Sequence, residues 1–208
     1  MTTIINDQML EERLIAQRQE AGVDKYDEVW GGVYVMARMA NNEHQRLVTD
    51  LTTVLNIAVG WVGLGQVFPG ANVSDREDDW TKNYRCPDVA VYLKDTQAED
   101  RGAYWYGGPD FAIEVVSPQD RAMEKLPFYA KVGTRELLVI DRDPWALTLF
   151  RLDADTLELV AKSLTDDDAT IGSEVLPLNF NLVLHETRPA LEVIHHDGQR
   201  WLIDPTGG

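Results

Sequence analysis

The spacing of apolar residues changes along the chain, and each change predicts an element. Leu10, Leu14 and Ile15 recur at helical spacing before Gly22, a common helix stop, so a short helix is expected over residues 7–20. Residues 28–39 alternate about Gly31 and Gly32, with Val29, Trp30, Val33, Tyr34 and Val35 as β-formers, which predicts a hairpin. From Asn41 the helical period returns. Leu47, Val48, Leu51, Val54, Leu55 and Ala58 fall on one face, with Asn41 or Asn42 as cap and Gly60 as stop. Apolar runs at 61–68, 89–93, 111–116 and 137–141 then read as strands, separated by Gly, Pro, Asn and Asp clusters. Between the last two runs, residues 119–132 predict a helix closed by Gly133, so the segment reads as a βαβ crossover. From Ala146 onward short strands alternate with acidic turns at 153–155 and 166–168. The expected fold is α/β: one domain over 1–208 with a mixed β-sheet flanked by helices, a helical extension over 1–25 and a β-rich part over 146–208.

Composition supports a globular reading and constrains the partners. The 208 residues are 44% hydrophobic and 26% charged, enough for one substantial core. No apolar run approaches the roughly 20 residues that span a bilayer, and the first residues, with Asp7, Glu11, Glu12, Arg13 and Arg18, lack the apolar centre of a secretion signal. Cys86 is the sole cysteine, so neither an internal disulfide nor a cysteine-built zinc site is available. A cytoplasmic location and no membrane partner are expected. The net charge of −16 argues against tight nonspecific binding to phosphate backbones. Arg85, Arg121, Lys125 and Lys131 nevertheless gather basic groups close to the residues that carry the chemistry.

Those residues lie in the middle of the chain. Asp88 follows Pro87 and precedes the apolar strand at 89–93, and 26 residues later Glu114 interrupts Phe111-Ala112-Ile113-Glu114-Val115-Val116. Ile113 and Val115 share one strand face, while Ala112, Glu114 and Val116 share the other, so both faces are apolar and Glu114 is not the polar side of an amphipathic strand. A carboxylate in that position needs a cation or strong donors, because an unpaired buried charge costs several kcal/mol or shifts its pKa. A hard divalent ion, Mg2+ or Mn2+, meets that need. His185 and the pair His195-His196 lack ligand partners at useful spacing, and Asp110 sits about 13 Å from Glu114 along an extended strand.

Pro87-Asp88, Ile113-Glu114-Val115-Val116-Ser117-Pro118, Glu124-Lys125, Tyr129, Gly133 and the run at 137–141 together resemble the Uma2 family of restriction-endonuclease-like proteins. The likeness covers most of the chain, and Glu43-His44 matches the family's usual helix start. It implies a restriction-endonuclease-like core of the PD-(D/E)xK nuclease superfamily, in which strand-borne Asp and Glu hold a cation and a lysine completes the site. Here the residue two after Glu114 is Val116, so the lysine comes from elsewhere. Lys125 on the following helix is where the family pattern points, with Arg121 and Tyr129 one turn away; Pro127 would kink that helix or begin it.

The resemblance implies phosphodiester hydrolysis in nucleic acid, DNA first, with Asp88, Glu114 and the Val115 carbonyl on the metal, Lys125 orienting water or neutralising charge, and Glu43 as an outer ligand. Each residue also has a plainer reading. Asp88 suits a turn after proline, Glu114 a buried salt bridge to Arg85 or Lys125, Lys125 a solvated helix face, and Glu43 a helix N-terminus. The competing function is a catalytically inactive descendant of the fold that serves as a binding or homo-oligomeric interaction module, and a homodimer stands open under either.

Overall fold

A computed structural model describes residues 8–37, 39–116, 120–165, 169–185 and 188–204. Ser117-Pro118, the expected helix start at Gln119 and the acidic turn at 166–168 lie outside the described residues.

Helix α1 (Gln8–Glu20) leads into the hairpin β1 (Glu28–Trp30) and β2 (Val33–Val35). Gly31 and Gly32 form its turn at φ 59° and 92°, left-handed backbone that suits glycine. Helix α2 (Asn42–Leu55) starts at Asn41, whose side chain accepts from the His44 backbone N–H at 2.9 Å. It continues as one π turn over Asn56–Gly60. Strands β3 (Gly65–Pro69), β4 (Val73–Ser74), β5 (Tyr84–Arg85), β6 (Val89–Leu93), β7 (Glu99–Asp100), β8 (Trp105–Tyr106) and β9 (Phe111–Val116) follow. After a 3-10 turn (Ala122–Lys125) and α3 (Leu126–Lys131), the chain returns through β10 (Glu136–Arg142), β11 (Trp145–Asp153) and β12 (Thr156–Leu164). Strands β13 (Ile171–Gly172), β14 (Leu178–His185), β15 (Arg188–His195) and β16 (Arg200–Ile203) complete it.

The central sheet runs β12-β11-β10-β9-β6-β3. Its only parallel pair is β9 with β10, the expected crossover, and the other neighbours are antiparallel. The mixed α/β fold read from the sequence is the fold observed. A second sheet, β2-β1-β5-β4-β8-β7, is built from strands of two or three residues, and a third, β13-β14-β15-β16, is antiparallel.

One face of the central sheet, with Val89, Val91, Phe111, Ile113, Leu138 and Leu147, packs on α2 and the third sheet. Leu47 and Leu51 of α2 are fully buried there, each contributing about 1.5–3 kcal/mol by burial. The opposite face, with Ala112, Leu137, Val139 and Phe150, packs on Phe128 and Tyr129 of α3. Glu114 points to this second face.

Two boundaries differ from the sequence reading. The strand expected over 61–68 is confined to Gly65–Pro69, because the π turn delays the end of α2 and Gly63 turns at φ 75°. The helix expected over 119–132 is split in two. Pro127 has no N–H to donate, so α3 begins at Leu126 with the proline in its first turn, and the preceding residues wind as a 3-10 turn.

Candidate active site

Asp88 and Glu114 come together because β6 and β9 are antiparallel neighbours. Val89 pairs with Ile113, so one step further along the ladder sets Asp88 opposite Glu114. There the ladder gives way to a side chain: Asp88 Oδ2 accepts the Val115 backbone N–H at 2.7 Å. The other Asp88 oxygen faces His44 Nε2 at 3.1 Å, from the first turn of α2, and His44 Nδ1 is buried with no hydrogen-bond partner. Asp88 and His44 keep side-chain exposures of 22% and 15%, the most open part of the cluster.

Glu114 is 5% exposed. Lys125 Nζ donates to both of its oxygens at 3.0 Å, and the Tyr129 hydroxyl donates to Oε1 at 2.5 Å. The 3-10 turn brings Lys125 over the strand, and α3, starting one residue later, brings Tyr129 beside it. Lys125 also lies 2.9 Å from Glu28 Oε1, a residue of β1 that is 5% exposed.

Two buried carboxylates therefore face one ammonium, and the Asp88 carboxylate lies close enough to act on Glu114. Burial by itself would discharge Lys125, but Glu114 and Glu28 overcome it and hold the ammonium charged well above its ordinary range. For Glu114, burial pushes the carboxyl up to about 8; Lys125 opposes that, while Asp88 and Glu28 add to it. The Tyr129 phenol is pushed far up by burial and by the charge of Glu114.

This surplus of buried negative charge fits a hard divalent cation, which carboxylate oxygens and water prefer to hold. Among the described residues no group of three or more His, Cys, Asp or Glu side chains is arranged to hold a metal ion. The side chains' share of a coordination sphere would thus be the two carboxylates of Asp88 and Glu114.

Glu43, the remaining sequence candidate, turns elsewhere. Its carboxylate pairs with Arg142 at 3.7 Å and Arg188 at 3.2 Å, and Arg142 Nε donates to the Val116 carbonyl at 3.1 Å. Glu43 therefore links the start of α2 to the end of β9.

The basic residues are also committed within the protein. Arg85 lies between the rings of Trp30 at 4.6 Å and Phe128 at 4.3 Å, Arg121 pairs with Glu124, and Lys131 sits 2.6 Å from Asp75. Cys86 is buried. His195 pairs with Asp197 and His185 with Asp204, away from this cluster.

Sequence reasoning passed over two members of the site. His44 was visible only as the neighbour of Glu43. Glu28 gave one signal, a lone carboxylate opening a strand of otherwise apolar residues.

A strand-borne Asp and Glu on adjacent strands, a lysine delivered from the crossover and a supporting helix define a restriction-endonuclease-like domain. The sequence matches the Uma2 family, described as "Putative restriction endonuclease", over residues 12–185. The chain belongs to that family. A crystal structure described as "a putative nuclease belonging to DUF820", from Anabaena variabilis ATCC 29413, is similar to it with a TM-score of 0.55 and 19% identity. The likeness covers 71% of this chain and 80% of that one, and it shows the shared fold. No curated protein matches the sequence. No helix among the described residues is long and apolar enough to cross a membrane.

Proposed function

We propose that the chain is a metal-dependent nuclease that hydrolyses phosphodiester bonds in nucleic acid, DNA before RNA, in the cytoplasm. The observation that carries this reading is the contact of Lys125 with Glu114. The position two after Glu114 is Val116, yet an ammonium reaches both Glu114 oxygens at 3.0 Å from the crossover segment. Family membership and the surplus of carboxylates support it further.

In this reading Asp88, Glu114 and the Val115 carbonyl hold Mg2+ or Mn2+. When bound, the ion would acidify a water and stabilise charge on the attacked phosphate. Lys125 offers its positive charge beside Glu114 to orient that water or to neutralise a phosphate oxygen. Tyr129 fixes the Glu114 carboxylate, and His44 and the Val115 N–H fix that of Asp88. Glu43 acts through Arg142, which anchors the end of β9. Cutting both strands of a duplex in a single encounter takes two such sites, which is the reason to carry a homodimer with this proposal.

One observation favours a second reading, a catalytically inactive interaction module. Asp88 and Glu114 both have partners within the protein, and the nearby basic groups are paired in a chain of net charge −16. The deciding experiment is cleavage of plasmid, single-stranded DNA and RNA with Mg2+ or Mn2+, comparing wild type with Glu114→Ala. Cleavage by the wild type alone that a chelator abolishes is the expected result. Equal activity in both marks a contaminant, and none in either selects the interaction module.

A further inference from the structure

Resting on the nuclease reading, we infer that Glu28 is a positioning residue, the second carboxylate that keeps Lys125 in place when Glu114 turns to a cation.

The geometry assigns this role through three donors from three segments. Glu28 Oε1 accepts the Cys86 backbone N–H at 2.8 Å and lies 2.9 Å from Lys125 Nζ, and Oε2 accepts Trp30 Nε1 at 2.6 Å. The first of these fixes the stretch immediately before Pro87-Asp88. The second fixes the lysine, and the third locks the Glu28 side chain within β1. One buried carboxylate thus sets the spacing between the strand that carries Asp88 and the turn that carries Lys125.

An ammonium has three N–H donors and no acceptor. In Lys125 they face two oxygens of Glu114 and one of Glu28. A cation on Glu114 competes directly for the oxygens that Lys125 occupies. If Glu114 were the only carboxylate partner, metal binding and lysine placement would exclude one another. Glu28 separates the two: Lys125 gives up part of its hold on Glu114 and stays in the site through Glu28. Among the described residues Glu114 and Glu28 are the carboxylates paired with Lys125, so without Glu28 a lysine displaced from Glu114 by a cation has no other carboxylate partner there.

The test follows Lys125 itself. Wild type and Glu28→Gln are treated with an amine-acylating reagent with and without Mn2+, and the modification of Lys125 is read by peptide mass spectrometry. Calorimetry of Mn2+ binding is run on both proteins. Wild-type Lys125 should stay protected in both conditions. In Glu28→Gln it should stay protected without Mn2+, held by Glu114, and become several-fold more reactive when Mn2+ is bound.

The turnover number of the variant should fall about 10- to 100-fold, the usual cost of losing a group that orients a site residue, with KM changed far less. Glu28→Asp, which keeps the charge but shortens the reach, carries the same comparison should the glutamine variant fail to fold, and it should lie between the two. Mn2+ binding by the wild type with equal protection in the variants overturns this inference alone. Absence of Mn2+ binding by the wild type overturns the nuclease reading and the role of Glu28 with it.

Discussion

Replacing Lys125 by methionine keeps an unbranched apolar stem and deletes the charge. Three contacts vanish together, two of 3.0 Å to Glu114 and one of 2.9 Å to Glu28, and two carboxylates that are each 5% exposed lose their cation. Breaking a buried pair in this way costs about 3–5 kcal/mol, a large share of the roughly 5–15 kcal/mol that holds a whole domain. The deficit should depend on pH, with a sign set by Glu114. Burial pushes its carboxyl up from 4.5 to about 8, so the folded protein binds that proton more tightly than the unfolded chain does. Stability from this group is complete below about 4.5 and is lost as pH rises to about 8. Lys125 opposes the upward push, so Lys125→Met should widen the gap and steepen the loss. Urea denaturation of both proteins at pH 5 and pH 8 measures it, and the deficit should be larger at pH 8. Mn2+ should restore part of the stability at pH 8, about 2.7 kcal/mol when present at a hundred times its dissociation constant. A deficit below about 1 kcal/mol, or one equal at both pH values, would refute the view that Lys125 neutralises buried carboxylates.

Two further outcomes are expected. Tyr129→Phe removes the 2.5 Å hydrogen bond to Glu114 and, above the pH of about 8 at which that carboxyl ionises, should cost about 1.5–3 kcal/mol in denaturant unfolding, the range for a hydrogen bond to a charged group. Adding Val116→Lys to Lys125→Met places an ammonium two residues beyond Glu114 on the same strand face, and plasmid nicking lost in the single variant should partly return. No recovery in that double variant would show that the lysine has to come from the crossover.

The legible parts of the fold were those governed by one local period. The apolar face of α2 and the uninterrupted runs of β6 and β9 gave their elements directly, and Glu114 stood out because both faces of its strand are apolar. The second sheet was illegible apart from its hairpin, since strands of two residues such as β4, β5, β7 and β8 carry no period. The break at Leu126 is a backbone effect of Pro127 that outweighed the helical spacing around it. Lys125 was legible only by resemblance, since nothing local distinguishes it from a solvated helix lysine. Glu28 lies 97 positions before the lysine it holds, and its role exists only once β1 is folded beside β5.

The two faces of the central sheet divide the labour of the chain. Glu28, Asp88, Glu114, Lys125 and Tyr129 gather on the side of α3, whereas the third sheet, over residues 171–203, packs behind the opposite face and contributes none of them. The turn at Asp197-Gly198, exposed at the far end of that third sheet, is therefore a natural handle: a fluorophore, an affinity tag or a surface tether fixed there would leave the side of the sheet that holds the carboxylate cluster untouched.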